Sequence, residues 1–219
     1  MKKIITGVFV LFFLTGFVLF FLVSTEKIPL NEKQTNDIIK IENQNMSNDK
    51  KITFNNQQFK TVSNEKEAIT QTTDYLAESY EWYMEGEAGF EWSQLITTHK
   101  LSQLENGPDI TADMYSNNVL ALQKQNGAYV FETSLISEDL EVLGIDTKYP
   151  PFLIAYTLFS ETEQEVNIQK IVDLGNGKVG VIVYAERIPL KNKKEFSDYI
   201  SSPEYTQKRI ELIKQAFPY

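Results

Sequence analysis

The chain has 219 residues, no Cys, one His, and 21 Lys+Arg against 30 Asp+Glu, a formal charge of −9. The missing cysteines exclude a disulfide scaffold, a zinc finger and a thiol enzyme, and a single His excludes multi-histidine metal sites. The acidic balance argues against duplex nucleic acid, whose phosphates need a basic face. No cofactor or metal is expected.

Ile4–Val23 is an uncharged, apolar run preceded by Lys2 and Lys3 and followed by Glu26 and Lys27. As a helix rising about 1.5 Å per residue, it matches a bilayer core of about 30 Å. A core helix of a soluble protein would keep a polar face, and this run has none. The flanking lysines place the N-terminus in the cytoplasm and the chain after Val23 outside. Secretion after signal cleavage is the alternative. It is disfavoured by the length of the run and by an exit, Leu22-Val23-Ser24-Thr25, that lacks a small-x-small site. Residues 1–23 therefore read as an anchor, with residues 4–23 in the membrane.

Residues 24–61 read as a polar linker, because residues 31–58 mix Asn and Gln with charges and offer little apolar surface to offset ordering. Residues 62–219 read as an extracytoplasmic α+β domain. Asn64 with Glu67 has capping-box spacing, and Ala68, Ile69, Leu76, Tyr80, Tyr83 and Met84 recur at helical intervals. Trp92, Leu95, Ile96 and His99 predict a second short helix.

From about Asn118 the pattern changes to strands. Val119–Lys124 and Ala128–Ile136 flank Asn126-Gly127, a hairpin signal. Phe152–Ser160 is dense in apolar and β-branched residues and predicts a central strand. Val166–Leu174 and Lys178–Ile188 flank Gly175-Asn176-Gly177, a second hairpin. Ser202-Pro203-Glu204 opens a C-terminal helix that carries Ile210, Ile213 and Phe217. The expected fold is a mainly antiparallel, curved sheet of about five strands, packed by N-terminal helices and a C-terminal helix.

That element order over residues 62–219 resembles the nuclear transport factor 2-like fold, in which N-terminal helices close a curved sheet. Behind a single-pass anchor, it is similar to the assembly subunits of bacterial conjugative-transfer and secretion systems. The resemblance implies a non-catalytic interaction or assembly domain, with envelope proteins and further copies of the chain as partners. Two alternatives stand beside it: an extracytoplasmic ligand-binding or sensory domain, and a carboxylate-dependent hydrolase using Glu85 with Glu91.

The aromatic–acidic stretch 80–92 supplies the candidate ligand-binding residues Tyr80, Trp82, Glu85 and Trp92, as rings to stack on a ligand and a carboxylate to orient it. Set against this, rings at helical spacing usually enter the core. Gly175–Gly180 matches G-x-G-x-x-G, but a β-branched run follows it where a dinucleotide site needs a helix. His99 reads as a partly buried structural imidazole. Lys191, Lys193 and Lys194 read as a solvated loop, and Tyr149-Pro150-Pro151-Phe152 as a rigid connector.

Overall fold

The computed structural model describes residues 51–61, 68–71, 75–88, 91–104, 107, 109–133, 140, 143–144, 150–159 and 164–218. Nine strands form one antiparallel sheet: β1 (Lys51–Phe54), β2 (Gln57–Lys60), β3 (Ala68–Gln71), β4 (Tyr75–Met84), β5 (Gln94–Gln103), β6 (Val130–Thr133), β7 (Phe152–Phe159), β8 (Gln164–Asp173) and β9 (Lys178–Arg187). Their order is β1-β2-β4-β5-β9-β8-β7-β6, with β3 also on β4. β3 takes the Leu76–Ser79 part of β4's outer edge and β2 takes Tyr83–Met84. Three helices pack on the sheet among the described residues: α1 (Ala112–Gln125), α2 (Lys193–Ile200) and α3 (Pro203–Lys214).

The sheet is covered on both sides. On one face Tyr80, Trp82, Ile96, Ile168, Ile182 and Tyr184 pack with Phe196 of α2 and with Tyr205 and Leu212 of α3. The β1–β2 hairpin folds onto the same face, and the Phe54 ring lies 4.6 Å from that of Tyr184. On the other face Ala77, Leu101, Ile171, Val179 and Val181 pack with Tyr115 and Val119 of α1. Double coverage explains why β9 reads as a near-continuous apolar run, as strands buried on both faces do.

The helix starts are set by their caps. Thr111 Oγ1 accepts from Met114 N at 3.1 Å, and Asp173 Oδ1 accepts from Ala112 N at 2.7 Å, so β8 itself helps seat α1. Ser202 Oγ accepts from Tyr205 N at 3.1 Å with Pro203 at the first turn, the arrangement the sequence predicts.

The expected fold class is corrected on several counts. The sheet has nine strands where about five were expected. Residues expected as N-terminal helices form β3, β4 and β5 instead. Tyr80, Trp82 and Met84 alternate towards one face of β4 while Ala77, Ser79 and Tyr83 take the other, so both faces hold apolar groups and the spacing mimics a helix. The expected first hairpin is α1 followed by β6: Asn126-Gly127 closes a helix, not a hairpin. Gly127 adopts φ 78, and Asn126 N donates to Leu122 O at 3.0 Å, a left-handed helix end. The strand at Phe152–Phe159 lies next to the sheet end, whereas β5 and β9 occupy the middle. β1 and β2 fall inside the stretch 24–61 read as linker.

The element order behind the nuclear transport factor 2-like resemblance opens on two helices, and β3, β4 and β5 stand at those positions. Among the described residues no helix is long and apolar enough to cross a membrane. The run Ile4–Val23, the cap at Asn64 and the connector residue Tyr149 lie outside the described residues.

Candidate functional site

The four residues singled out from the sequence do not converge. Tyr80 and Trp82 share a face of β4, with ring centroids 6.5 Å apart. Trp82 is fully buried, and its Nε1 donates to Thr98 Oγ1 at 3.1 Å, which satisfies the indole's one donor. Burial, reinforced by the nearby Glu78 charge, pushes the Tyr80 phenol up to about 12. Trp92 belongs to a separate cluster with Tyr83, Leu95 and Ala185 on the opposite face. The Arg187 guanidinium sits 4.2 Å from its ring centroid, in cation–π range. Glu85 is in the turn after β4, exposed, with Lys60 Nζ at 3.5 Å. Glu91 is also exposed, so Glu85 and Glu91 are solvated acids on the turn–bridge segment after β4.

A buried ionic cluster lies where α2 and α3 meet β9. Lys208 Nζ donates to Glu186 Oε1 and Oε2 at 2.8 and 2.7 Å and to Glu204 Oε1 at 2.6 Å. Tyr184 OH lies 3.0 Å from both Glu186 Oε2 and Gln94 Oε1, with one proton to share between them, and Tyr199 OH also bonds Glu186. Burial and then the Glu186 charge raise both phenols far above the ordinary tyrosine range. Every partner belongs to the fold itself, and the cluster pins two helices to one strand.

The second polar centre is Ser79 with His99, paired across β4 and β5, with Oγ to Nδ1 at 2.8 Å. His99 is 8 % exposed, and burial lowers its pKa to about 4, so the ring is neutral near pH 7. The structure thus places His99 as a buried imidazole, on a strand and not a helix. Thr97, Asn167 and Gln169 on the same face are buried as well. Glu81 bonds the Tyr83 hydroxyl, and burial raises its pKa.

The third centre is at the C-terminal end of α3. Lys170 of β8 is 8 % exposed, and its Nζ donates to Ile213 O at 2.5 Å and Gln215 O at 2.8 Å. These are helix-end carbonyls without intrahelical donors, so the amine closes α3. Desolvation lowers the Lys170 pKa to about 8. Beyond it Phe217 rests on Gly180 of β9: a Cβ there would lie 2.9 Å from Phe217 Cδ2 and 3.2 Å from Leu174 Cδ1.

The glycine motif at Gly175–Gly180 is the β8–β9 hairpin. Gly175, Asn176 and Gly177 adopt φ 78, 52 and 65, and Leu174 N donates to Lys178 O at 2.9 Å. Lys193 and Lys194 open α2, and Lys194 pairs with Asp198 at 2.5 Å, so they lie on a helix and not in a loop. Among the described residues no group of three His, Asp or Glu is arranged to hold a metal.

Sequence reasoning passed over Lys170 and Lys208. Each carried a signal: Lys170 falls where the alternation Val166, Ile168 of β8 calls for an apolar residue, and Lys208 shares the stripe of α3 that buries Tyr205 and Leu212. A lysine on an apolar face is fully buried only when it is paired. No protein-family model and no curated protein matches the chain.

Proposed function

We propose that the chain is a membrane-anchored, extracytoplasmic interaction and assembly domain of a bacterial cell envelope, working without catalysis. The observation that carries the reading is the run Ile4–Val23, uncharged and bounded by Lys2 and Lys3 on one side and by polar sequence leading to β1 on the other. Among the described residues the first strand starts at Lys51, and on this reading the polar sequence before it spaces the folded body from the bilayer. Two properties of that body support binding over chemistry. Its buried ionisable groups, Lys208 with Glu186, Lys170 with helix-end carbonyls and His99 with Ser79, are engaged inside the fold. Its candidate pocket residues are distributed over two faces and a turn.

The reading is tested in cells expressing the full chain. The protein should remain in the membrane fraction after alkaline carbonate, and residues after Val23 should be cut by protease added outside intact protoplasts. Envelope proteins should appear as cross-linked adducts. Recovery of the chain in the soluble fraction, or full protection from external protease, overturns it.

A further inference from the structure

We infer that the seat now filled by Phe217 is a peptide-binding site, held closed by the chain's own C-terminal strap. The strap makes the contacts of a bound peptide. Gln215 leaves α3 in extended conformation, with φ −60 and ψ 119. Its carbonyl accepts from Lys170 Nζ at 2.8 Å, and two residues later the Phe217 ring lies on the bare backbone of Gly180. A main-chain bond from a buried amine fixes the register, and a ring-shaped notch reads the side chain, the two components of extended-peptide recognition.

The seat is shaped for that purpose. Gly180 has no positive φ to explain its glycine, whereas any Cβ there would collide with the ring at 2.9 Å. Leu174, 38 % exposed, borders the notch and leaves its rim open to solvent. The segment after Lys214 lifts to vacate it, while α3 stays latched through Lys208. The occupant that fits is an extended segment of a partner protein offering a main-chain carbonyl and, two residues on, an aromatic ring. It exchanges with the strap without altering the sheet.

This deepens the interaction-domain reading and rests on it. The test uses purified full-length chain in detergent, so peptide capture is scored apart from membrane insertion. A labelled peptide Gln-Ala-Phe-Pro-Tyr, the sequence of residues 215–219, is titrated onto wild-type and Phe217→Ala chains. The expected result is at least about tenfold tighter binding to Phe217→Ala, because the cis strap competes at an effective concentration in the millimolar range. Replacing Phe by Ala in the peptide should remove the binding. Equal affinity for both chains, or for both peptides, overturns the inference.

If Phe217→Ala fails to fold, the wild-type chain decides. The peptide carrying a photoreactive benzoylphenylalanine, applied at millimolar concentration, should label the Leu174–Gly180 hairpin. Labelling elsewhere, or none, overturns the inference. A wild-type dimer that Phe217→Ala dissolves would assign the seat to a second copy and overturn the partner reading.

Discussion

Lys208 reaches back from α3 to hold both carboxylate oxygens of Glu186, and the two side chains are 4 % and 9 % exposed. Neither charge has water to fall back on. Lys208→Met leaves Glu186 as an uncompensated buried charge and should destabilise the domain by about 3–5 kcal/mol, whereas Glu186→Gln should cost less because Glu204 still pairs with Lys208. The double variant should lose less than the sum, because the two charges leave together. Urea denaturation of the four proteins measures the coupling, and strict additivity would contradict the described pairing.

His99 predicts a loss of stability in mild acid. Its pKa is lowered from 6.5 to about 4, so the unfolded chain binds a proton that the folded chain refuses. Stability is therefore full above about pH 6.5 and falls as the pH drops towards 4. The size is on the order of 3 kcal/mol for a group this buried. Thermal melts of wild type and His99→Gln across that window should converge at low pH. Parallel curves would show that His99 is not the group responsible.

Trp82 and Glu85, two of the candidate pocket residues, give opposite expectations. Trp82→Ala removes the largest fully buried side chain among the described residues and should cost about 3–5 kcal/mol. Glu85→Ala, on an exposed turn, should stay within about 0.5 kcal/mol. A destabilisation of several kcal/mol by Glu85→Ala would contradict its placement.

Gly177 tests the hairpin. It adopts φ 65, and a Cβ would sit 2.4 Å from Gln103 Oε1. Gly177→Ala combines backbone strain with displacement of the Gln103 side chain, whose Nε2 donates to Gly107 O at 2.6 Å, and should cost about 1–3 kcal/mol. Asn176→Gly, at φ 52, should be neutral or stabilising, since glycine adopts that conformation without a steric penalty. Chemical denaturation separates the two.

What the sequence discloses here follows how local each determinant is. The β8–β9 hairpin and the α3 start are legible because Gly175-Asn176-Gly177 and Ser202-Pro203 act on their own backbone. Asn126-Gly127 is ambiguous, because a left-handed glycine closes helices and hairpins alike. Thr111 with Asp113 offered a helix start that would have resolved it. β4 misleads for a non-local reason: its alternation is masked once β1, β2, α2 and α3 cover one side and other strands supply apolar neighbours on the other. The β1–β2 turn, Asn55-Asn56 at φ 49 and 60, was hidden in Asn-rich sequence that reads as linker. The ionic cluster at Glu186 draws Lys208 from α3, Tyr199 from α2 and, through Tyr184, Gln94 from β5, and only the tertiary register brings these elements together.

The β1–β2 hairpin also decides how the domain bears mechanical load. Under the proposed membrane anchor, an outward pull would draw on Lys51, whose partner across the ladder is Lys60. Tension at that end opens the Lys51–Lys60 rung first and then peels towards Phe54 and Gln57, one rung at a time, a soft mode compared with shearing all rungs together. The peel then meets a stop: Asn55 N is bonded to Glu211 of α3, and Phe54 is packed on Tyr184. If the chain is anchored as proposed, the exposed Lys51 end would yield first, while the buried Ile52, Phe54 and Phe59 and the bond to α3 keep force from the central strands.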